Sequence, residues 1–159
     1  MGQGAERLQL EQVREMNGVS VQWDFGGDDA LRRHLAAIGG ATFVRAREDI
    51  GEYMLGQIQD RFDQQRLWDG SPMPQSAAAL ARDGQTLIDS HNLYDSYVYG
   101  LIPDGLEVGS NMEYARIHHF GGDASRGHAV HIEARPVLGV NDRDAALIGD
   151  MLLDAVRMM

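Results

Sequence analysis

Six histidines are the residues of this sequence with the clearest capacity for chemistry. Four of them lie close together in the chain, at His118, His119, His128 and His131. Imidazole nitrogens are frequent zinc ligands, so a metal site is one interpretation of this group. Adjacent residues of a helix point about 100° apart, however, so His118 and His119 cannot easily face one ion. We therefore interpret these histidines as surface or loop residues and predict no metal site.

The sequence contains no recognisable nucleophile or phosphate-binding loop. It has no cysteine, which excludes thiolate metal ligands, cysteine nucleophiles and disulfide bonds. It has no lysine, which the common phosphate-binding loop requires. Ser110 and Ser125 lack the pair of glycines that flanks the serine of a nucleophile elbow. Acidic residues are numerous, but nothing marks two of them as a glycosidase-like pair. We predict no catalytic residue and no cofactor, with a hydrolase as the alternative.

The charge of the chain is acidic, with a formal net value of -10 at pH 7. Proteins that wrap nucleic acid present basic residues to the phosphates, and the sequence shows no basic patch. An acidic wall repels DNA and would let it slide past without being bound. No apolar run approaches the roughly 20 residues that cross a bilayer, so we predict no membrane partner.

The strands that must position these residues are visible as alternation of apolar and polar residues. One strand is predicted at 19–25, with its apolar residues on one face: Val19, Val21, Trp23 and Phe25. Residues 95–102 and 106–111 alternate around Pro103-Asp104-Gly105 and predict a β-hairpin. Residues 121–129 are glycine-rich and predict an exposed loop. Residues 128–138 predict an extended segment in which Pro136 favours an edge position.

The helices are visible as apolar residues at helical spacing. A long amphipathic helix is predicted from about residue 41 to 66, with four apolar residues at a spacing of four: Ile50, Met54, Ile58 and Phe62. Gly51 and Gly56 lie within it and could allow the close approach of another backbone. Shorter helices are predicted at 28–38, 77–82 and 114–120. Asn141 or Asp142 is expected to cap a last helix to about residue 156, with these residues largely on one side: Leu147, Ile148, Met151, Leu152 and Met158.

This order of elements has no βαβ rhythm and predicts the α+β class. We expect a small antiparallel sheet with a β-hairpin, packed against one long and several shorter helices. Residues 1–18 are predicted to form a polar arm or short helix. Residues 19–159 are predicted to form a single domain.

Arg135-Pro136 has two interpretations. In the first, Arg135 snorkels or caps the nearby C-terminal helix, and Pro136 fixes a bend. In the second, the segment is rigid and offers a bidentate guanidinium to the carboxylate of a neighbouring subunit. The tyrosines at 94, 97, 99 and 114 also have two interpretations. At least half of them are expected in the core, and one or two in an interface.

Five blocks occur in an order that resembles a known family. They are REDIGEYM at 47–54 with DRF at 60–62; Trp68 ahead of Pro72 with LAR at 80–82; LIDSHNLYDS at 87–96; VGSN at 108–111 with YARIHHFGG at 114–122; and ARPVLG at 134–139. Over about residues 41–157 this set resembles the phage virion morphogenesis family, the tail-completion proteins of Mu-like and related tailed phages.

The resemblance implies a structural protein of the virion neck, at the head-proximal end of the tail, assembled in the host cytoplasm. It implies a tail-completion or terminator subunit in a homo-oligomeric, hexameric ring, without a cofactor. Such a ring would contact the tail tube protein below and a head–tail connector protein above, and DNA would cross its lumen without specific binding. Alternatives are a tail-associated hydrolase and a head-side connector or minor tail-tube protein. We expect interface residues among Tyr97, Tyr99, Tyr114, His118, His119, Phe120, Arg135 and Pro136.

Overall fold

The computed structural model describes residues 18–24, 33, 40–103, 105–124 and 130–158. The elements in chain order are β1 (Val19–Asp24), α1 (Gly40–Asp63), α2 (Ala77–Ala81), a 3-10 turn (Tyr94–Ser96), β2 (Tyr97–Ile102), β3 (Gly105–Ser110), α3 (Glu113–Phe120), β4 (Gly122–Ala124), β5 (Val130–Ile132) and α4 (Asp142–Arg157). Small antiparallel sheets and separate helices confirm the predicted α+β class. The predicted arm at 1–18 and the predicted helix at 28–38 lie almost entirely outside the described residues.

The larger sheet has three antiparallel strands in the order β1-β3-β2. β2 and β3 are the predicted hairpin, in which Ile102 pairs with Gly105 and Tyr97 pairs with Ser110. β1 joins the other side of β3, with Val19 opposite Ser110, and confirms the predicted first strand. Because β3 is the middle strand, all six of its residues are buried.

Helix α1 packs on this sheet because its apolar residues recur every four positions. The four residues predicted for this face are all 0 % exposed: Ile50, Met54, Ile58 and Phe62. Leu106 and Val108 of β3 belong to the same core and are also 0 % exposed. Burial of one such side chain contributes roughly 1.5–3 kcal/mol, so this helix–sheet contact is a main source of stability.

Arg47 of α1 is half-buried, and its side chain binds the hairpin turn. Its guanidinium donates to the carbonyl oxygens of Ile102 at 2.8 Å, Pro103 at 3.0 Å and Gly105 at 3.3 Å. One side chain thereby satisfies carbonyls of the turn and fixes the start of α1 relative to β2 and β3.

The end of α1 is a Schellman motif built without glycine. The amide of Arg66 donates to the carbonyl of Arg61 at 2.8 Å, and that of Gln65 to Phe62 at 3.1 Å. Gln65 takes the left-handed position with φ of 52°. Its side-chain amide accepts from the N–H of Thr86 at 2.7 Å and donates to the carbonyl of Thr86 at 3.2 Å. These two bonds offset the strain and attach the following segment to α1.

Helix α4 begins as predicted, with Asn141 as N-cap in a capping box with Asp144. Ile148 is 6 % exposed and packs in the core. The placement of Met158 on the packed side was wrong, because the helix ends at Arg157 and Met158 is 78 % exposed. Within the described ranges, no helix has the length and apolarity that a membrane span requires.

A second, two-stranded sheet corrects the first part of the loop predicted at 121–129, whose residues 125–129 lie outside the described residues. Residues 122–124 form β4, which pairs with β5 through Asp123 and His131. The glycine-rich sequence of β4 carries no strand signal, because its pairing depends on a partner strand that lies later in the chain. β5 ends at Ile132, so Pro136 lies outside any ladder and the predicted extended segment is shorter than expected.

Candidate partner-binding site

An open groove of about 910 Å³ lies between the segment 76–93 on one side and α3 with β5 on the other. Its lining includes the side chains of Leu87, His91, Tyr114 and Val130. Val130 is 57 % exposed and Tyr114 is 38 % exposed, although both are large apolar or aromatic residues. Exposed apolar surface of this kind, with polar groups around it, is typical of a site that binds another protein.

The first wall of the groove is held together by short-range hydrogen bonds. Ser76 caps α2 by accepting from the N–H of Ala79 at 3.1 Å. The hydroxyl of Thr86, which is 1 % exposed, accepts from the N–H of Ser76 at 3.1 Å. The guanidinium of Arg82 donates to the carbonyls of Gln85 at 2.7 Å and Ile88 at 3.1 Å. The wall is therefore a defined structure although little of it is helix or strand.

Backbone strain is concentrated in this wall. Asp83, Leu87 and His91 have φ of 52°, 63° and 61°, in the left-handed region that side chains other than glycine disfavour. Each such residue costs roughly 1–2 kcal/mol. Residues strained in this way cluster at binding sites, where the surrounding structure imposes the conformation. Since Leu87 and His91 line the groove, the strain supports a binding role for it.

Arg135 joins the two walls of the groove. Its backbone N–H donates to the carbonyl of His118 at the end of α3, at 2.7 Å. Its guanidinium donates to the carbonyls of Pro74 at 2.7 Å and Glu133 at 3.1 Å, and the residue is only 7 % exposed. It does not cap α4, contrary to the first interpretation, because these carbonyls hold it elsewhere. The second interpretation, a contact with a neighbouring subunit, stays a prediction.

The histidines of α3 are half-buried and uncharged at neutral pH. Burial lowers the pKa of His118, and the positive charge of Arg135 lowers it further. Burial also lowers the pKa of His119. His131 lies on β5 and pairs with the carboxylate of Asp123 at 3.0 Å, and His128 lies outside the described residues. The part of the chain that is described contains no group of three or more potential ligands that could hold a metal ion.

The structure brings three of the expected interface residues together, since Tyr114, His118 and Arg135 line the groove. The rings of Tyr114 and His118 meet edge to face at 6.2 Å. On the same helix, His119 contacts the ring of Phe120, which is 64 % exposed. This end of α3 therefore offers aromatic surface to a partner.

The remaining expected residues lie elsewhere. Tyr97 is 8 % exposed and packs in the core against Phe62. Tyr99 is half-buried, and its hydroxyl donates to the carboxylate of Glu52 at 3.1 Å. The carbonyl of Pro136 accepts from the N–H of Trp68 at 3.0 Å. These three residues make contacts within their own chain, and their part in an interface stays a prediction.

Sequence reasoning missed a buried polar cluster between α1 and the start of α4. Asp144 is 0 % exposed and accepts from Arg61 at 2.5 Å, from the hydroxyl of Tyr53 at 2.8 Å and from the N–H of Asn141 at 3.1 Å. The Asn-x-x-Asp spacing of the capping box was a signal for part of this cluster. The partner Arg61 lies 83 residues earlier in the chain, and no local pattern connects the two.

The segment ARPVLG at 134–139 is an irregular, partly buried strip of backbone whose inward carbonyls need partners. Arg61 donates to the carbonyls of Val137 at 2.7 Å and Gly139 at 2.9 Å. A Cβ atom at Gly139 would lie 2.7 Å from the ring of Trp68, so this position excludes a side chain. The first, second and fifth sequence blocks therefore meet here.

A comparison with family models identifies one family that covers most of this chain. The model of the phage virion morphogenesis family matches residues 28–157. A Haemophilus influenzae protein named Mu-like prophage FluMu G protein 2 is 38 % identical over 78 residues. That alignment spans 49 % of this chain and 56 % of the relative. No solved structure matches this chain.

Proposed function

Because this chain belongs to the phage virion morphogenesis family, we propose that it is the tail-completion subunit of a tailed phage. In this proposal several copies form a closed ring, hexameric to match the tail tube, at the head-proximal end of the tail. The ring caps the tail tube protein below and offers a surface to the head–tail connector protein above. The protein acts as a structural component of the virion and performs no catalysis.

The observation that carries this proposal is the family match, since it covers the segments that build the groove and the core. The named relative supports a Mu-like phage origin for this type of protein. A ring subunit also needs surface for its neighbours, and the groove with its exposed aromatic rim offers such surface.

The charge of the outer face of α1 suits a ring that DNA crosses. Five exposed carboxylates lie along this helix: Glu48, Asp49, Glu52, Asp60 and Asp63. A row of negative charge repels the phosphate backbone, so DNA would pass without being held. We propose that this face points toward the lumen. A lumen lined by arginine in a particle reconstruction would refute this part of the proposal.

Deletion of the gene from an inducible phage tests the proposed function. We expect DNA-filled heads and free tails to accumulate unjoined, and a plasmid copy of the gene to restore infectious particles. A reconstruction of the restored particles should place ring density between tail tube and connector. Normal particles without the protein would refute the proposal. Density within the head-side connector or the tail tube, or degradation of peptidoglycan by the purified protein, would favour the alternatives.

A further inference from the structure

The described surface carries a second exposed apolar patch, at the end of α4. Leu153 is 53 % exposed, Val156 is 41 % exposed and Met158 is 78 % exposed. Leu153 and Val156 are three residues apart and therefore lie on the same side of the helix. We call these three residues the helix-end patch. It shares no residue with the groove, so one copy has two separate apolar surfaces that lack a partner among the described residues.

The open groove has a volume of about 910 Å³, which is enough to receive several large side chains. The last turns of α4 and Met158 directly after them carry the helix-end patch, whose side chains would meet Val130 and Tyr114 on the groove surface.

The charges of the two surfaces are compatible. The charged groups of the groove are Arg82 and Arg135 against Asp89 and Glu133, so the groove is formally neutral in a chain of net charge -10. The exposed carboxylates Asp150 and Asp154 accompany the helix-end patch.

The guanidinium of Arg82 is 31 % exposed and lies 3.9 Å from Asp89, a separation at the outer limit of an ion pair. The carbonyls of Gln85 and Ile88 hold this guanidinium in place, so it presents a fixed, partly exposed positive charge to a carboxylate of the incoming helix. An acidic helix end meets less repulsion in this neutral groove than on the acidic outer face of α1.

We propose that the C-terminal end of α4 of one copy docks in the groove of the next copy, which makes the head-to-tail contact of the ring. This inference rests on the proposed ring. A contact between two different patches can repeat from copy to copy and closes into a ring where the rotation allows it, whereas a groove-to-groove contact would stop at a dimer. We assign a second copy of the chain as the occupant of the groove, because the same chain supplies both the unfilled groove and the unpartnered helix end.

The absence of cysteine allows a direct test by disulfide trapping. The double variant Val130→Cys/Leu153→Cys places one thiol on each surface, and mild oxidation should give a ladder of covalent multimers that a reductant removes. Each single variant can form no more than a dimer. The matched control is Val44→Cys/Leu153→Cys, since Val44 is 36 % exposed on α1 outside the groove. A ladder no stronger than that of the control, or efficient dimers of Val130→Cys alone, would overturn the proposal.

A mixing experiment provides the second test. Val130→Asp should destroy the groove and leave the helix end intact, and Leu153→Asp should do the reverse. We expect each variant alone to be monomeric and their equimolar mixture to form a dimer with one intact contact, measured by light scattering. Both variants are exposed-site changes, and circular dichroism would verify that each is folded. A mixture that stays monomeric, or rings formed by either variant alone, would contradict the contact.

The inference and the proposed function can fail separately. If the wild-type protein enters particles and forms rings that the cysteine pair does not trap, the head-to-tail contact is wrong and the tail-completion role stands. If the pair is trapped but particles form normally without the protein, the contact stands and the tail-completion role is wrong.

Discussion

Asp144 lies 2.5 Å from Arg61 at the start of the C-terminal helix, and both side chains are almost completely buried. The same carboxylate accepts from Tyr53 and from the N-cap residue Asn141. Burial, together with the hydrogen bond to Asp144, raises the pKa of Tyr53 to about 12, so this phenol remains a donor at any ordinary pH. One acidic residue therefore connects α1, α4 and the irregular segment that Arg61 also holds.

Substitution Asp144→Ala should lower the free energy of unfolding by about 3–5 kcal/mol, because it leaves the buried Arg61 without its counter-charge. Urea unfolding followed by circular dichroism would measure the loss. Asp150→Ala is the matched control, since Asp150 is an exposed acid of the same helix, and it should change stability by about 0.5 kcal/mol or less. A loss below about 1 kcal/mol for Asp144→Ala would mean that the ion pair does not hold the two helices together.

The two glycines of α1 should respond to alanine in opposite directions. A Cβ atom at Gly51 would lie 2.5 Å from the ring of Tyr99, whereas no atom lies within 4 Å of such a Cβ at Gly56. Gly56→Ala should stabilise the protein by about 0.5–1 kcal/mol through helix propensity. Gly51→Ala should destabilise it by about 1–2 kcal/mol, because overpacking exceeds that gain.

The reason for the Gly51 effect can be tested in a double-variant cycle. Tyr99→Leu removes the ring, so Gly51→Ala should cost much less in that background, as thermal or urea unfolding would measure. An unchanged cost would place the strain somewhere other than in the contact between α1 and β2.

The strained groove wall should show a conflict between stability and binding. His91→Gly should raise the free energy of unfolding by up to about 1 kcal/mol, because glycine adopts φ of 61° without strain. The neighbouring Ser90→Gly is the control and should lower stability, since Ser90 is not in the left-handed region. We expect His91→Gly to weaken ring formation in light scattering despite its greater stability. Unchanged stability would indicate that the wall is not under strain.

Much of the fold could be predicted because its signals are local. The spacing of four from Ile50 to Phe62 identified the buried face of α1, and Pro103 with its neighbours identified the hairpin. The cap of α4 was predicted at Asn141 or Asp142, and Asn141 is the residue that forms it. Each of these features depends on residues within one or two turns of the chain, where periodicity and capping chemistry determine the structure.

The candidate site was less predictable because distant segments build it. Sequence alone left Arg135 with two interpretations, and neither indicated that it is buried between Pro74 and the end of α3. Tyr97 and Tyr99 alternate along β2 and therefore share one face of the strand. Alternation alone does not show which face of the strand is covered, and only the packing of α1 on β2 shows this. Tyr114 and His118 were expected in an interface, and they belong to one of the blocks that carry the resemblance. The groove that they line also needs residues 76–93 as its other wall.

The histidines of α3 should make the protein less stable in mild acid. Their pKa values are lowered in the folded chain, so below the ordinary histidine value of 6.5 the unfolded chain binds more protons than the folded one. The stability contributed by the uncharged rings is therefore present above pH 6.5 and is lost as the pH falls through the folded pKa values.

Replacement of His118 and His119 by glutamine should flatten the dependence of unfolding free energy on pH between about 7 and 5, a window above the titration of most carboxylates. His131→Gln is the control for the loss of a histidine that is exposed on β5. Urea midpoints at several pH values would give the three slopes. If the glutamine variant kept the slope of the wild type, the acid sensitivity would have to originate outside α3, and burial of these two rings would not be its cause.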